Sequence, residues 1–293
     1  MSPPTQLFGF TQFDLAGTLA VADGRYLVRS EQGEQTVLVV ETLAAPPMPR
    51  RRRRRSREAE PGGPAAVPLS RVSAVLAGER FESEEEADRW LRGATEAEDT
   101  VDILVEEGIG VLNRALHAQA AASADPRMSE LTPERALAVR IGYGSGEQVA
   151  AGRHTSAREV DVWASGASRR RRRAEELRPQ ERLAAVLGGR ERVDPCETLL
   201  MRARADLDAG RRREAALQLQ VGLQALLAEL PGAVAGPGHE EDMATLARRR
   251  SESEEAARAA LAGEIGPERE GRVRELLETA ERVLRRRRVL RGG

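Results

Sequence analysis

The apolar residues of this 293-residue chain change their spacing partway along it, and that change decides which elements each part can form. Between residues 6 and 42 the β-favouring side chains Phe8, Phe10, Tyr26, Val28, Val37 and Val39 fall in short runs that predict strands. From residue 178 onward leucine, valine and alanine recur every three or four positions, which places them on one face of a helix. Aromatic residues make up only 3% of the chain, so its cores must be built from Leu, Val and Ala, a composition that suits helices. The expected fold is an α+β N-terminal module followed by a mainly α C-terminal helical bundle, with helix dominant overall. The length alone also leads to an expectation of two compact units.

The spacing and the turn residues give a finer division. Residues 1–43 read as an antiparallel β-meander of three or four strands, with Asp23-Gly24 as a tight hairpin turn and Gly33 as a second turn. Residues 44–68 hold Pro46, Pro47 and Pro49, an arginine run and Pro61-Gly-Gly-Pro64, a composition unable to bury apolar surface and expected to be a disordered linker or long loop. In residues 69–126 a strand near 71–77 and two helices complete the module. Ser83-Glu86 and Thr95-Glu98 both fit the capping box, and the second helix carries Val101, Leu104, Val105, Leu112, Ala115 and Leu116 as its apolar stripe. Gly108 and Gly110 inside that helix imply a kink or close packing. Residues 127–173 open with a helix-start signal at Thr132-Pro133-Glu134. Leu137 to Ile141 there fit either helix or strand, followed by a glycine-rich connection and an arginine run.

Residues 174–293 read as an antiparallel bundle of four or five helices. Pro179 opens one that ends at Gly188-Gly189, and Asp194-Pro195 opens another that stops at Gly210. A third runs from 211 to 230, and two more occupy about 240–262 and 267–290. Residues 196–231 resemble one tetratricopeptide-type hairpin: Gly210 sits at the turn, and Ala215 and Leu219 fall where that family places small and large packing residues. The likeness covers a single unit and lacks the flanking repeats of such arrays, so it implies helix-hairpin geometry.

All 46 basic side chains are arginine and none is lysine, which excludes lysine Schiff-base chemistry and a Walker A phosphate loop. Net charge is −1, yet charge is segregated along the chain, with residues 58–126 carrying five arginines against fifteen carboxylates. The arginine clusters Arg50, Arg51, Arg52, Arg53, Arg54, Arg55 and Arg57, then Arg169, Arg170, Arg171, Arg172 and Arg173, and finally Arg285, Arg286, Arg287 and Arg288 are the candidate phosphate contacts of a nucleic-acid-associated protein. Against that reading stand the near-neutral total, the lack of aromatics interleaved with arginine, and a compositional bias toward Ala, Arg, Gly and Pro. At the end of a helix, Arg285 to Arg288 also complement the macrodipole.

The glycine-rich segment Gly142-Tyr143-Gly144-Ser145-Gly146, with Arg153 and His154 downstream, is the one loop that has the composition of a small-anion site, and gives a third reading, a small-anion-binding module or enzyme centred on that loop. Its spacing is G-x-G-x-G and it lacks the dinucleotide-binding alternation; a plain connection is the favoured reading. Cys196 sits in the first turn of a helix, where a thiol can be activated, and equally where it can pack beside Leu199 and Leu200. Trp90 and Trp163 read as core or interface anchors. His117, His154 and His239 lack metal-ligand spacing. The sequence therefore assigns no catalytic residue, metal or cofactor. No apolar run spans a bilayer and no secretory signal is recognisable, so a soluble cytoplasmic protein is expected. The leading reading is a non-enzymatic interaction or scaffold protein that binds other proteins or itself through the bundle, with Leu219, Leu223, Leu226, Leu227, Leu276 and Leu277 as its contact stripe.

Overall fold

A computed structural model describes residues 6–29, 35–43, 68–127, 129–162, 179–230, 237–263 and 265–291. The chain divides into two compact units, Met1–Ser168 and Arg169–Gly293. The fold class is α+β with helix dominant: an antiparallel sheet fills the first unit and helices fill the second.

The sheet has six strands in the order β2-β3-β4-β1-β5-β6: β1 Leu7–Ala16, β2 Gly24–Arg29, β3 Gln35–Leu43, β4 Leu69–Phe81, β5 Ala136–Ser145 and β6 Ser156–Val160. Residues 6–42 are therefore not a meander. β1 pairs with β4 and β5, while β2 and β3 form a hairpin docked on the far side of β4. Asp23-Gly24 is correspondingly not a hairpin turn between adjacent strands; the Asp23 carboxylate accepts a hydrogen bond from Thr42 Oγ1 at 2.7 Å. The α+β module also extends past residue 126, because β5 and β6 belong to the same sheet.

Two helices, α1 Glu84–Glu96 and α2 Glu98–Ser123, cover one face. Alternation along β1 sends Leu7, Thr11, Phe13 and Leu15 one way, into a core with Leu91, Val105, Ile109 and Leu112. Gly108 packs against the sheet, where an added Cβ would lie 3.0 Å from Thr11 and from Phe13; close packing, not a kink, explains it. Trp90 packs against Phe81 with ring centroids 5.3 Å apart and their planes inclined by 42°. Ser83 caps α1 by accepting from the Glu86 amide. Thr95 does not cap α2: it lies inside α1 and donates to the Leu91 carbonyl at 2.7 Å, leaving Ala97 as a cap without a side-chain bond. Thr132-Pro133-Glu134 starts only a single 3-10 turn, Pro133–Arg135, before β5.

The second unit has six helices among the described residues: α4 Pro179–Leu187, α5 Pro195–Asp208, α6 Arg212–Glu229, α7 Pro237–Arg248, α8 Arg250–Ala262 and α9 Pro267–Arg291. The expected single helix over 240–262 is broken at Arg249 into α7 and α8. Between α5 and α6 the backbone turns at Gly210, whose φ of +75° is a left-handed conformation that favours glycine. Leu200, Leu207, Leu219, Leu223, Leu226, Val273, Leu276, Leu277 and Val283 interlock in one core. Each such side chain contributes roughly 1.5–3 kcal/mol on burial, and this apolar contact holds the hairpin against α9. No helix among the described residues is long and apolar enough to cross a membrane.

Candidate functional site

The glycine-rich segment is a strand, not a loop. Residues Ala136–Ser145 form β5, so Leu137 to Ile141 resolve as strand, Gly142 lies between β1 and β6, and Gly144 pairs with Phe8 of β1. A Cβ on Gly142 would stand 2.5 Å from the Ser156 carbonyl oxygen; this glycine serves close strand approach. Ser145 and Gln148 form a capping box that starts a one-turn helix, α3 Gly146–Val149. Val149 then packs with Phe10, Val39 and Val75 on the sheet face opposite α1 and α2.

His154 lies on that same face, its ring 5.9 Å from Phe10, and beyond it is a polar cluster. The Asp14 carboxylate, 6% exposed, accepts from Arg71 Nε at 2.8 Å and Nη2 at 3.1 Å and from Arg140 Nη1 at 2.7 Å. Gln12 donates to Ser73 Oγ and to the Gly152 carbonyl. Burial by itself would raise the Asp14 carboxyl, but the hydrogen bonds from Arg71 and Arg140 outweigh it and hold it below the ordinary carboxylate value. His154 is lowered by burial and by the same two arginines. The arginines here are spent on Asp14, and Arg153 is exposed beside His154. Gly144 lies against the His154 backbone, with an added Cβ 3.1 Å from its Cα, but Gly142 faces Ser156 and Ala157 and Gly146 faces Phe8, so the three glycines do not form one cradle of backbone amides with Arg153 and His154.

The arginine clusters divide in the same way. Arg50 to Arg57 and Arg169 to Arg173 lie outside the described residues, as does Trp163. In the third cluster, Arg286 contacts Asp242 and the Gly238 carbonyl, Arg287 is buried against Asp194 at 2.5 Å, and Arg288 approaches Glu197 at 3.6 Å. These three are tied into the bundle by carboxylates of α5, its N-cap and α7, whereas Arg285 has no ion pair or hydrogen bond among the described residues.

The leucines expected to form a contact stripe are internal. Leu219, Leu223, Leu226 and Leu277 are fully buried, Leu276 nearly so, and Leu227 packs at the edge of the same core. They build the bundle and are not presented to a partner. Cys196 is likewise a core residue; burial, with Glu229 beside it, pushes its thiol up to about 12, the reverse of activation. Tyr143 is also pushed up to about 12, by burial and its hydrogen bond to Asp88. Among the described residues no group of three or more His, Cys, Asp or Glu is placed to hold a metal ion.

A groove of about 740 Å³ runs between α5 and α9 in the second unit. Leu200 and Leu284 form its floor and Met201, 53% exposed, its apolar wall. Arg204 spans it, gripping Glu281 through Nε–Oε1 at 2.7 Å and Nη2–Oε2 at 3.0 Å. Asp208 and Glu278 lie one turn away on one side of that bridge, and Arg285 and Arg288 on the other. Sequence reasoning missed the groove because it depends on which faces of α5 and α9 diverge. The signal available in the sequence was Met201, an apolar residue off the buried stripe. No protein-family profile, curated protein or solved structure matches the chain.

Proposed function

We propose that this is a non-enzymatic, cytoplasmic interaction protein that receives its protein partners in the groove between α5 and α9. The observation that carries the reading is the groove itself: an open cleft within the roughly 300–1,000 Å³ typical of ligand sites, with an exposed thioether at its wall and charged side chains on both rims. Methionine is adaptable and suits surfaces that fit partner side chains. The burial of the leucine stripe moves the contact surface from the bundle's apolar faces to this cleft. A non-enzymatic role is supported by the state of the strongest nucleophile, since a thiol raised to about 12 carries almost no thiolate near neutral pH. A reducing, cytoplasmic setting accords with Cys196 being free and buried.

The test uses the full chain as bait, wild type against Met201→Trp, which adds bulk to the groove from an exposed position. Proteins recovered by the wild type and lost with Met201→Trp support the reading. Equal recovery by both, or no partner together with strictly monomeric behaviour in light scattering, would remove it.

A further inference from the structure

The two ends of the α5–α9 groove differ in how well their charges are matched. At the Asp208 and Glu278 end, carboxylates face Arg204, which holds Glu281 in a bidentate pair. At the other end the balance fails. Arg285 has no partner among the described residues, and Arg288 reaches only Glu197, at 3.6 Å, a carboxylate already engaged by Arg182 at 2.6 Å. The Nε of Arg288 is buried with no acceptor among the described residues. An unanswered guanidinium donor out of water costs free energy until an acceptor arrives, so this end of the groove is short of negative charge. Beside it lie the exposed side chain of Met201 and the floor of Leu200 and Leu284.

We propose that this end of the groove binds an acidic peptide segment, with carboxylates on Arg285 and Arg288 and a neighbouring apolar side chain on Met201. The spacing suits it. Arg285 and Arg288 are three residues apart on one helix, about 5–6 Å between their Cβ atoms, and same-side residues of an extended peptide are about 7 Å apart. Two acidic residues separated by one position therefore meet both guanidiniums, and charge-assisted N–H···O bonds of this kind are the strong class. Arg282, on the same wall, is held by Asp242 and Thr279 and plays no part. The inference rests on the groove being the interaction site.

The experiment is fluorescence anisotropy of the full chain with fluorescein-labelled Glu-Ala-Glu-Leu-Leu, and with Gln-Ala-Gln-Leu-Leu as the neutral counterpart. The expected result is saturable binding of the acidic peptide, weakened about tenfold or more by Arg285→Glu, as loss of a charged hydrogen bond implies. Binding should also weaken as salt rises from about 0.05 M to about 0.5 M. Arg269→Glu, at the exposed far end of α9, should leave it unchanged. Met201→Ala should weaken both peptides together, and circular dichroism confirms that each variant is folded. Equal affinity for the two peptides, or indifference to Arg285→Glu, overturns the inference. So does displacement of the peptide by a short DNA duplex at lower concentration than by unlabelled acidic peptide, which would assign the arginines to phosphates. If Met201→Trp abolishes partner recovery while the acidic peptide shows no saturable binding, the inference falls and the interaction reading stands.

Discussion

Replacing Asp14 with asparagine keeps the shape of the side chain and removes its charge, which isolates what the carboxylate contributes in the middle of the sheet. Asp14 is 6% exposed and holds two guanidiniums through contacts of 2.7–3.1 Å. Breaking a fully buried pair by deleting one partner costs about 3–5 kcal/mol. Here the arginine side chains remain 26% and 23% exposed, so water takes up part of the lost contact and the expected loss is about 2–3 kcal/mol. At a urea slope of about 1–3 kcal/mol/M the unfolding midpoint of the first unit should fall by about 1 M. Trp90, packed on Phe81 in that unit, is the probe, in a Trp163→Phe background. The sign of the pH dependence follows from the direction of the shift. Because the folded pKa of Asp14 lies below its unfolded value, about 3.9, its contribution is complete above that pH. The contribution fades as pH falls from there through the folded pKa. The gap between wild type and Asp14→Asn should therefore be constant from pH 6 to 8, within the range about two pH units or more above 3.9, and close in acid. A loss under about 0.5 kcal/mol, the scale of an ordinary surface change, or a gap that widens in acid, would refute the argument.

Three further outcomes follow from the packing. Gly142→Ala should destabilise the first unit by more than about 1 kcal/mol, since the new Cβ meets the Ser156 carbonyl oxygen at 2.5 Å and overpacking against backbone costs about 1–3 kcal/mol; thermal unfolding by circular dichroism measures it. Leu223→Ala, at a site with no exposure, should cost the second unit about 2–5 kcal/mol in chemical denaturation and leave the Trp90 transition in place. Cys196, with its thiol raised to about 12, should react with a disulfide reagent at pH 8 far more slowly in the folded protein than in denaturant, which a thiol titration reads directly.

The helices of the second unit were legible because their signals are local. Pro179, Asp194-Pro195 and Gly210 mark ends that depend on the residues beside them, and the leucine spacing identified the buried face. Function attached to that same face was misjudged, because a stripe says that a helix packs and not on what. The first unit was harder for a related reason. Nothing in Phe8 or Phe10 states that β1 pairs with strands some 60 and 130 residues later, and the apparent hairpin at Asp23-Gly24 offered a nearer partner. The segment Gly142 to Gly146 looked like a loop because glycine is rare in strands. Its reason for being there, the crossing chain at Ser156, is a tertiary contact with no sequence signature. The groove was invisible for the same cause: Arg285 and Arg287 read identically, yet one is paired in the bundle and the other stands open.

The position of β1 at the centre of the sheet has a consequence for synthesis. Its hydrogen-bonding edges are completed by β4 and β5, so one flank stays bare until Leu69–Phe81 has been made and the other until Ala136–Ser145 has emerged. Pairings so distant along the chain slow folding, and an unpaired apolar strand waiting on the ribosome is a template for unwanted association. Slowing translation while β5 is still unmade, just upstream of residue 136, should therefore raise the fraction of the protein that aggregates in the cell.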